Sequence, residues 1–153
     1  MKTNRVRQFA SEAGDTMVEF SLVAVMFIVV LLGVVEMGRM LLVYTTLAQS
    51  ARAGARYAIV HGADRSGLQG SGPNGPSGTT DSSQVTTTVN NFASAGPLNP
   101  SKLIVTVTYP GGTSTVGSAV DVQVSYTYDP LVTYYNPLLS VTLSSTSEGI
   151  IVF

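Results

Sequence analysis

Gly14-Asp15-Thr16-Met17-Val18-Glu19-Phe20 leads directly into the apolar run Phe20–Val35, and an alanine-rich stretch then carries the pattern on to Val60. The run Phe20–Val35 holds no charge, one hydroxyl at Ser21 and one glycine, Gly33, near its far end. Its whole circumference is therefore unsuited to water, and residues 14 to 60 read as one long helix whose first part belongs in lipid. At about 1.5 Å per residue the run covers roughly 24 Å, short of the ~30 Å hydrocarbon core of a bilayer. Glu36 and Arg39 lie three apart on one helical face, where they are suited to pair. That pairing lets the span borrow length from Met40–Tyr44.

A cleaved signal peptide is one alternative, since Lys2, Arg5 and Arg7 form a basic leader and small-x-small sites occur at Ala51-Arg52-Ala53 and Ala53-Gly54-Ala55. Against it, Asp15 and Glu19 interrupt the passage into the apolar run, and those sites lie far past its end. A plain single-pass anchor is a second alternative, in which Glu19 is a first-turn acid favoured by the positive end of the helix dipole. A third reading uses spacing. Gly14, Glu19 five residues later, and an apolar run beginning at Phe20 resemble the processing site of type IV prepilins, where a membrane peptidase cuts after the glycine. The resemblance puts the cut between Gly14 and Asp15. Glycine suits such a site because a residue without a side chain lets the backbone extend and approach a protease closely.

Downstream, Leu31-Leu32-Gly33-Val34-Val35-Glu36-Met37-Gly38-Arg39, then Val43-Tyr44 and Ala51-Arg52-Ala53-Gly54-Ala55-Arg56-Tyr57-Ala58, resemble the TadE-like family of minor pilins or pseudopilins of tight-adherence (Tad) pilus systems. The likeness covers residues 14 to 60. It implies a pilin-like α+β fold, a non-enzymatic structural role in pilus assembly or adhesion, and a prepilin peptidase as processing partner. Other pilin subunits, Tad assembly proteins and inner-membrane lipid are the further partners it implies. It also assigns Glu19 to assembly, facing the free α-ammonium of Asp15 on a neighbouring subunit. One departure is Asp15 itself, which stands after the cut where other type IV pilins commonly have an apolar residue.

Composition narrows the function classes. The 153 residues leave about 90 beyond the long helix, enough for one small domain. Charged residues make up 11% of the chain and the net charge is −1, whereas binding nucleic acid requires clustered Lys and Arg. With no cysteine there is neither a disulfide frame nor a thiolate ligand or nucleophile. Lys2, Arg5 and Arg7 precede the span while Arg39 and Arg52 follow it, so the positive-inside count favours a cytoplasmic N-terminus. A Ser/Thr/Gly-rich, lysine-poor remainder fits an exported domain. The expected organisation is a basic leader 1–14, a transmembrane and assembly helix 15–44, and an extracytoplasmic domain 45–153 containing a mobile Gly/Ser/Pro-rich loop 62–80.

Beyond the membrane, Leu47, Ala48, Ala51, Ala55 and Ala58 recur at steps of three and four, with Thr45, Gln49, Arg52 and Arg56 on other faces. A helix face of such small residues invites close contact, either with its own domain's sheet or with other subunits. Gly54 costs about 1 kcal/mol of propensity relative to alanine and marks close packing or a mild bend. Asp81 and Gln84 fit a capping box for a short helix over roughly 82–95, with Val85, Val89 and Phe92 on one face and a stop at Gly96-Pro97. Leu103, Val105, Val107 and Tyr109 alternate with Ile104, Thr106 and Thr108 up to Pro110-Gly111-Gly112, and Val120, Val122, Val124, Tyr126 and Tyr128 alternate more cleanly. Pro130 ends that strand, Tyr134-Tyr135-Asn136-Pro137 makes a turn, and a last strand starts at Leu139–Leu143 to resume at Ile150–Phe153. The sum is an α+β design in which a long helix packs on an antiparallel sheet of three or four strands.

No constellation of catalytic chemistry emerges. His61 is the only histidine and reads as a surface residue near a helix end. Asp121 and Asp129 read as solvated strand acids, and Tyr109, Tyr126, Tyr128, Tyr134 and Tyr135 read as sheet packing before ligand stacking. Neither a cofactor, a metal nor a small-molecule substrate is expected.

Overall fold

The computed structural model describes residues 4–62, 83–131 and 140–152, with side chains from residue 14 onward. The helix expected from residue 14 begins earlier: α1 runs Asn4–Val60. Arg5, Arg7, Gln8, Ala10, Glu12 and Ala13 are all good helix formers, and the ~1 kcal/mol cost of Gly14 is too small to stop a helix between such flanks. The chain divides into two units, Met1–Arg39 and Met40–Phe153.

Within the second unit, the remainder of α1 is followed by α2 (Ser83–Ser94), a 3-10 turn (Pro100–Lys102), β1 (Leu103–Thr108), β2 (Ala119–Tyr128) and β3 (Val141–Ile150). The strands form an antiparallel meander in the order β1-β2-β3. This is the expected α+β arrangement, with three strands among the described residues. β2 is central because its inward face is continuously apolar. Val120, Val122, Val124, Tyr126 and Tyr128 are all buried and meet Val43, Leu47, Ala51, Ala55 and Ala58 of α1 and Val85, Val89 and Ala93 of α2 in one core. The small-residue face of α1 is thus covered by its own domain. Ser50, on the same face, is fully buried and donates its hydroxyl hydrogen to the Leu47 carbonyl 2.8 Å away, so its burial leaves no lone donor.

Close approach explains Gly54. A Cβ there would fall inside the van der Waals envelope of Val89 Cγ2 and lie 3.1 Å from Val122 Cγ1. At Gly96, just past α2, it would lie 2.7 Å from Thr46 Cγ2. With the middle of α2 and the turn after it drawn this close to α1, the third inward position of α2 is Ala93. Phe92, expected inward, is 41% exposed.

The last strand also differs from expectation. Instead of breaking after Leu143, β3 is unbroken from Val141 to Ile150 and pairs residue for residue with β2, from Tyr128↔Val141 to Ala119↔Ile150. Its inward positions Ser145, Ser147 and Gly149 give no apolar alternation, yet the ladder to β2 satisfies their backbone. Ile59 sits where a side chain on Gly149 would go. The C-terminal end is tied in by Ile151 N–H to Ser118 O and Val152 N–H to Ile59 O, each 2.9 Å. The turn after β1 closes through Gly112 N–H to Tyr109 O at 2.9 Å, with Gly112 at φ 66° where a side chain would be strained. The loop from 63 to 80, the Asp81 cap, the Tyr134–Pro137 turn, Leu139 and Phe153 lie outside the described residues.

Candidate functional site

In the first unit no described side chain from Gly14 to Arg39 is buried, and only Ala24 and Glu36 are half-covered. Phe20, Met26, Phe27, Val29 and Val34 are all more than 60% exposed, so apolar surface faces outward on every side of the helix. The hydroxyl in the apolar run and the charges just past it are settled locally. Ser21 donates to the Val18 carbonyl at 2.8 Å, and the Arg39 guanidinium donates to Glu36 Oε2 at 3.0 Å, the pair expected from their spacing. A helix with its hydroxyl back-bonded and its ion pair closed leaves little that needs water. Such a helix fits a membrane anchor.

The residues singled out for processing and assembly lie at the head of this segment, all within α1 and all exposed. Gly14 is helical, and a Cβ on it would meet nothing within 4 Å. Nothing in the fold therefore requires glycine there, in contrast to Gly54. Asp15 and Glu19 stand one turn apart on the same helical face, a like-charge i,i+4 pair that costs a helix about 0.2–0.5 kcal/mol. No ion pair engages either of them among the described residues.

The second unit accounts structurally for its remaining candidates. His61 stacks on Tyr57, centroids 3.9 Å apart and 8° from parallel, and donates from Nδ1 to the Tyr57 carbonyl at 2.9 Å, closing the end of α1. Tyr126 and Tyr128 belong to the core, and the Asn99 amide donates to Tyr126 Oη at 3.5 Å. Asp129 is taken by Lys102 in an exposed ion pair. The hydrogen bond to that carboxylate holds the Lys102 ammonium above the ordinary lysine value. Asp121 stays on the outer face of the sheet, at the opposite end of β2 from Asp129. One feature escaped sequence reasoning: an open cleft of about 260 Å³ lined by Gln49, Arg52, Ala53, Arg56 and Phe92. The i,i+4 spacing of the arginines is visible in the sequence, whereas the sequence places Phe92 on the same helix face as Val85 and Val89.

An apolar, membrane-compatible helix continuing into a small α+β body is the class of chain these features define. Residues 14–56 match the family model described as TadE-like protein, the family that the sequence resembles. The matched segment begins at Gly14, at the head of the apolar run, and ends at Arg56 in the second unit's part of α1. Neither a curated protein nor a solved structure gives a significant match.

Proposed function

We propose that the chain is a minor pilin or pseudopilin, a non-enzymatic structural subunit of a Tad-type pilus assembly or adhesion system. The leader 1–14 is removed by a prepilin peptidase, the helix 15–44 sits in the bacterial inner membrane and then among other pilin helices, and the domain 45–153 lies on the extracytoplasmic side. The observation that carries this reading is the TadE-like match starting at Gly14 on a helical segment, residues 14–39, whose apolar side chains are left uncovered among the described residues. Such a surface is stable only in lipid or against other apolar helices.

The charges at the head of the helix support the cut. In the intact α1, which starts at Asn4, Gly14, Asp15 and Glu19 are interior positions: a helix-weakening glycine followed by two repelling acids. In a helix that starts at Asp15 the first of these acids stands in the first turn, where the helix dipole favours negative charge by about 0.3–1 kcal/mol. The sequence suits the processed chain better than the precursor.

Mass spectrometry of the chain extracted from membranes tests this directly. The expected N-terminal peptide begins at Asp15, and Gly14→Val, which sets a branched side chain beside the scissile bond, accumulates as full-length precursor. A native start at Met1 together with normal localisation would leave a single-pass anchored domain that enters no filament.

A further inference from the structure

We propose that the cleft on α1 is a docking site for a second copy of this chain, receiving the Asp121–Glu148 pair on the outer face of the neighbour's sheet in a head-to-tail contact. The inference rests on the subunit reading only in requiring that copies meet side by side.

The cleft presents two guanidinium groups beside an aromatic ring. Arg52 and Arg56 are exposed, sit one turn apart, and have no carboxylate within ion-pair distance among the described residues. Phe92 of α2 contributes an exposed ring to the same cleft, and Gln49 adds an amide. A site of two cations and an apolar plate fits a partner that offers two carboxylates and an apolar side chain at matching distance.

The outer face of the sheet offers that set. Asp121 on β2 and Glu148 on β3 are direct cross-strand partners, and both point away from the core because their neighbours Val120 and Val122 point into it. No cation pairs with either acid among the described residues. Ile150, two residues beyond Glu148 on the same face and opposite Ala119, is 63% exposed. Like charges placed directly opposite weaken a sheet pair, so this part of the outer face has unfavourable electrostatics until a cation covers it. The spacings agree: Cβ atoms of i,i+4 helix residues are about 5–6 Å apart, and those of directly opposed antiparallel residues about 4.5–5.5 Å. Arg52 and Arg56 can therefore each meet one carboxylate while Phe92 covers Ile150.

The two surfaces also lie on different layers of the same unit, the cleft on the helical side and the acid pair on the solvent side of the sheet. A contact between unlike patches of identical chains is heterologous, and repeated without closure it builds a filament rather than a closed dimer. Arginine favours such a contact because its planar fork engages carboxylates with fixed geometry.

The absence of native cysteine makes the test clean. Full-length chains carrying Ala53→Cys or Gln123→Cys are expressed in the native membrane, separately and together, and oxidised with copper phenanthroline. The expected result is a disulfide dimer only when the two variants are mixed, and a ladder when one chain carries both. Arg52→Glu with Arg56→Glu abolishes the adduct, as does Asp121→Arg with Glu148→Arg. Combining both reversals in one chain restores it, which a merely misfolded variant would not do. Self-dimers of either single variant, an adduct indifferent to charge reversal, or capture of Ala53→Cys by a different protein alone would each overturn the proposal. Absence of the mixed adduct overturns it as well. The N-terminal mass read on the same membranes then separates the two ideas, because a start at Asp15 leaves the subunit reading standing and a start at Met1 removes that too.

Discussion

Gly54 sets two residue-level effects against each other. Alanine there gains about 0.8–1 kcal/mol of helix propensity, but its Cβ intrudes on Val89 Cγ2 and crowds Val122 Cγ1. Both valines are fully buried, and a valine in a helix or strand has little rotamer freedom with which to yield. Overpacking of this kind typically costs about 1–3 kcal/mol, so it wins. Gly54→Ala is expected to lower the thermal midpoint of the detergent-solubilised chain, whereas Gly14→Ala, where a Cβ meets nothing, leaves it unchanged or higher. Circular dichroism melts of the two variants decide the matter, and a stabilised Gly54→Ala would mean that the helices separate more readily than the static packing implies. The Lys102–Asp129 pair gives a second residue-scale expectation. The ammonium is held above its ordinary value by the carboxylate hydrogen bond, so the folded state binds this proton more tightly than the unfolded state does. That contribution is complete below the usual lysine pKa of about 10.4 and is lost as pH rises through the higher folded value. A pH series of melts should show this loss on the alkaline side, and Lys102→Met should remove it.

At the scale of elements, the alanine face of α1 is built for contact at short range. Ala51 is fully buried and Ala55 nearly so, against a sheet face of valines that cannot retreat. Leucine at either position is expected to cost about 1–3 kcal/mol by overpacking, read as a lower melting midpoint and earlier protease cleavage of the domain. Retention of the parent midpoint in both variants would show that the face is not closed in solution. How far each element was legible in the sequence follows from how its inward face is made. β2 was plain because every second residue is apolar. The α1 face was plain because small residues recur at helical steps. β3 was not, because Ser145, Ser147 and Gly149 carry no hydrophobic signal; its length is set by the ladder from β2 and by Ile59 lying over Gly149. Phe92 misled for the converse reason. A large apolar residue at a plausible helical step reads as core, yet two glycine-mediated close approaches leave room only for Ala93. The cleft that Phe92 lines was hidden by the same misreading, whereas the proposal for Gly14, Asp15 and Glu19 rests on spacing along the chain alone, and the fold adds no contact to it.

For the molecule as a whole, the two units require different surroundings. The second buries a core of its own, while the first exposes apolar side chains along its length and carries Glu19 at the head of the run. Taking an ionised carboxylate into lipid costs about 2.5–3.5 kcal/mol at the centre of a membrane helix and less near the interface. Within a single chain no ion pair to Glu19 offsets that cost among the described residues. Under the proposed processing, the cut after Gly14 creates an α-ammonium at Asp15, and that group on an adjacent subunit supplies the missing cation. The pairing then stabilises association and not the isolated fold, since breaking a buried pair by removing one partner strands the other charge. Glu19→Gln is therefore expected to insert, to be cleaved and to reach the parental level in membranes, while its recovery in sheared surface fibres or in crosslinked pilin complexes falls sharply. Comparing mature chain in the membrane fraction with chain in the fibre fraction isolates the effect, because a folding or insertion defect would lower both together. Equal recovery of variant and parent in fibres would make Glu19 a first-turn acid serving the helix dipole alone. The assembly role would then have to be carried by the domain contacts, the Arg52–Arg56 cleft among them.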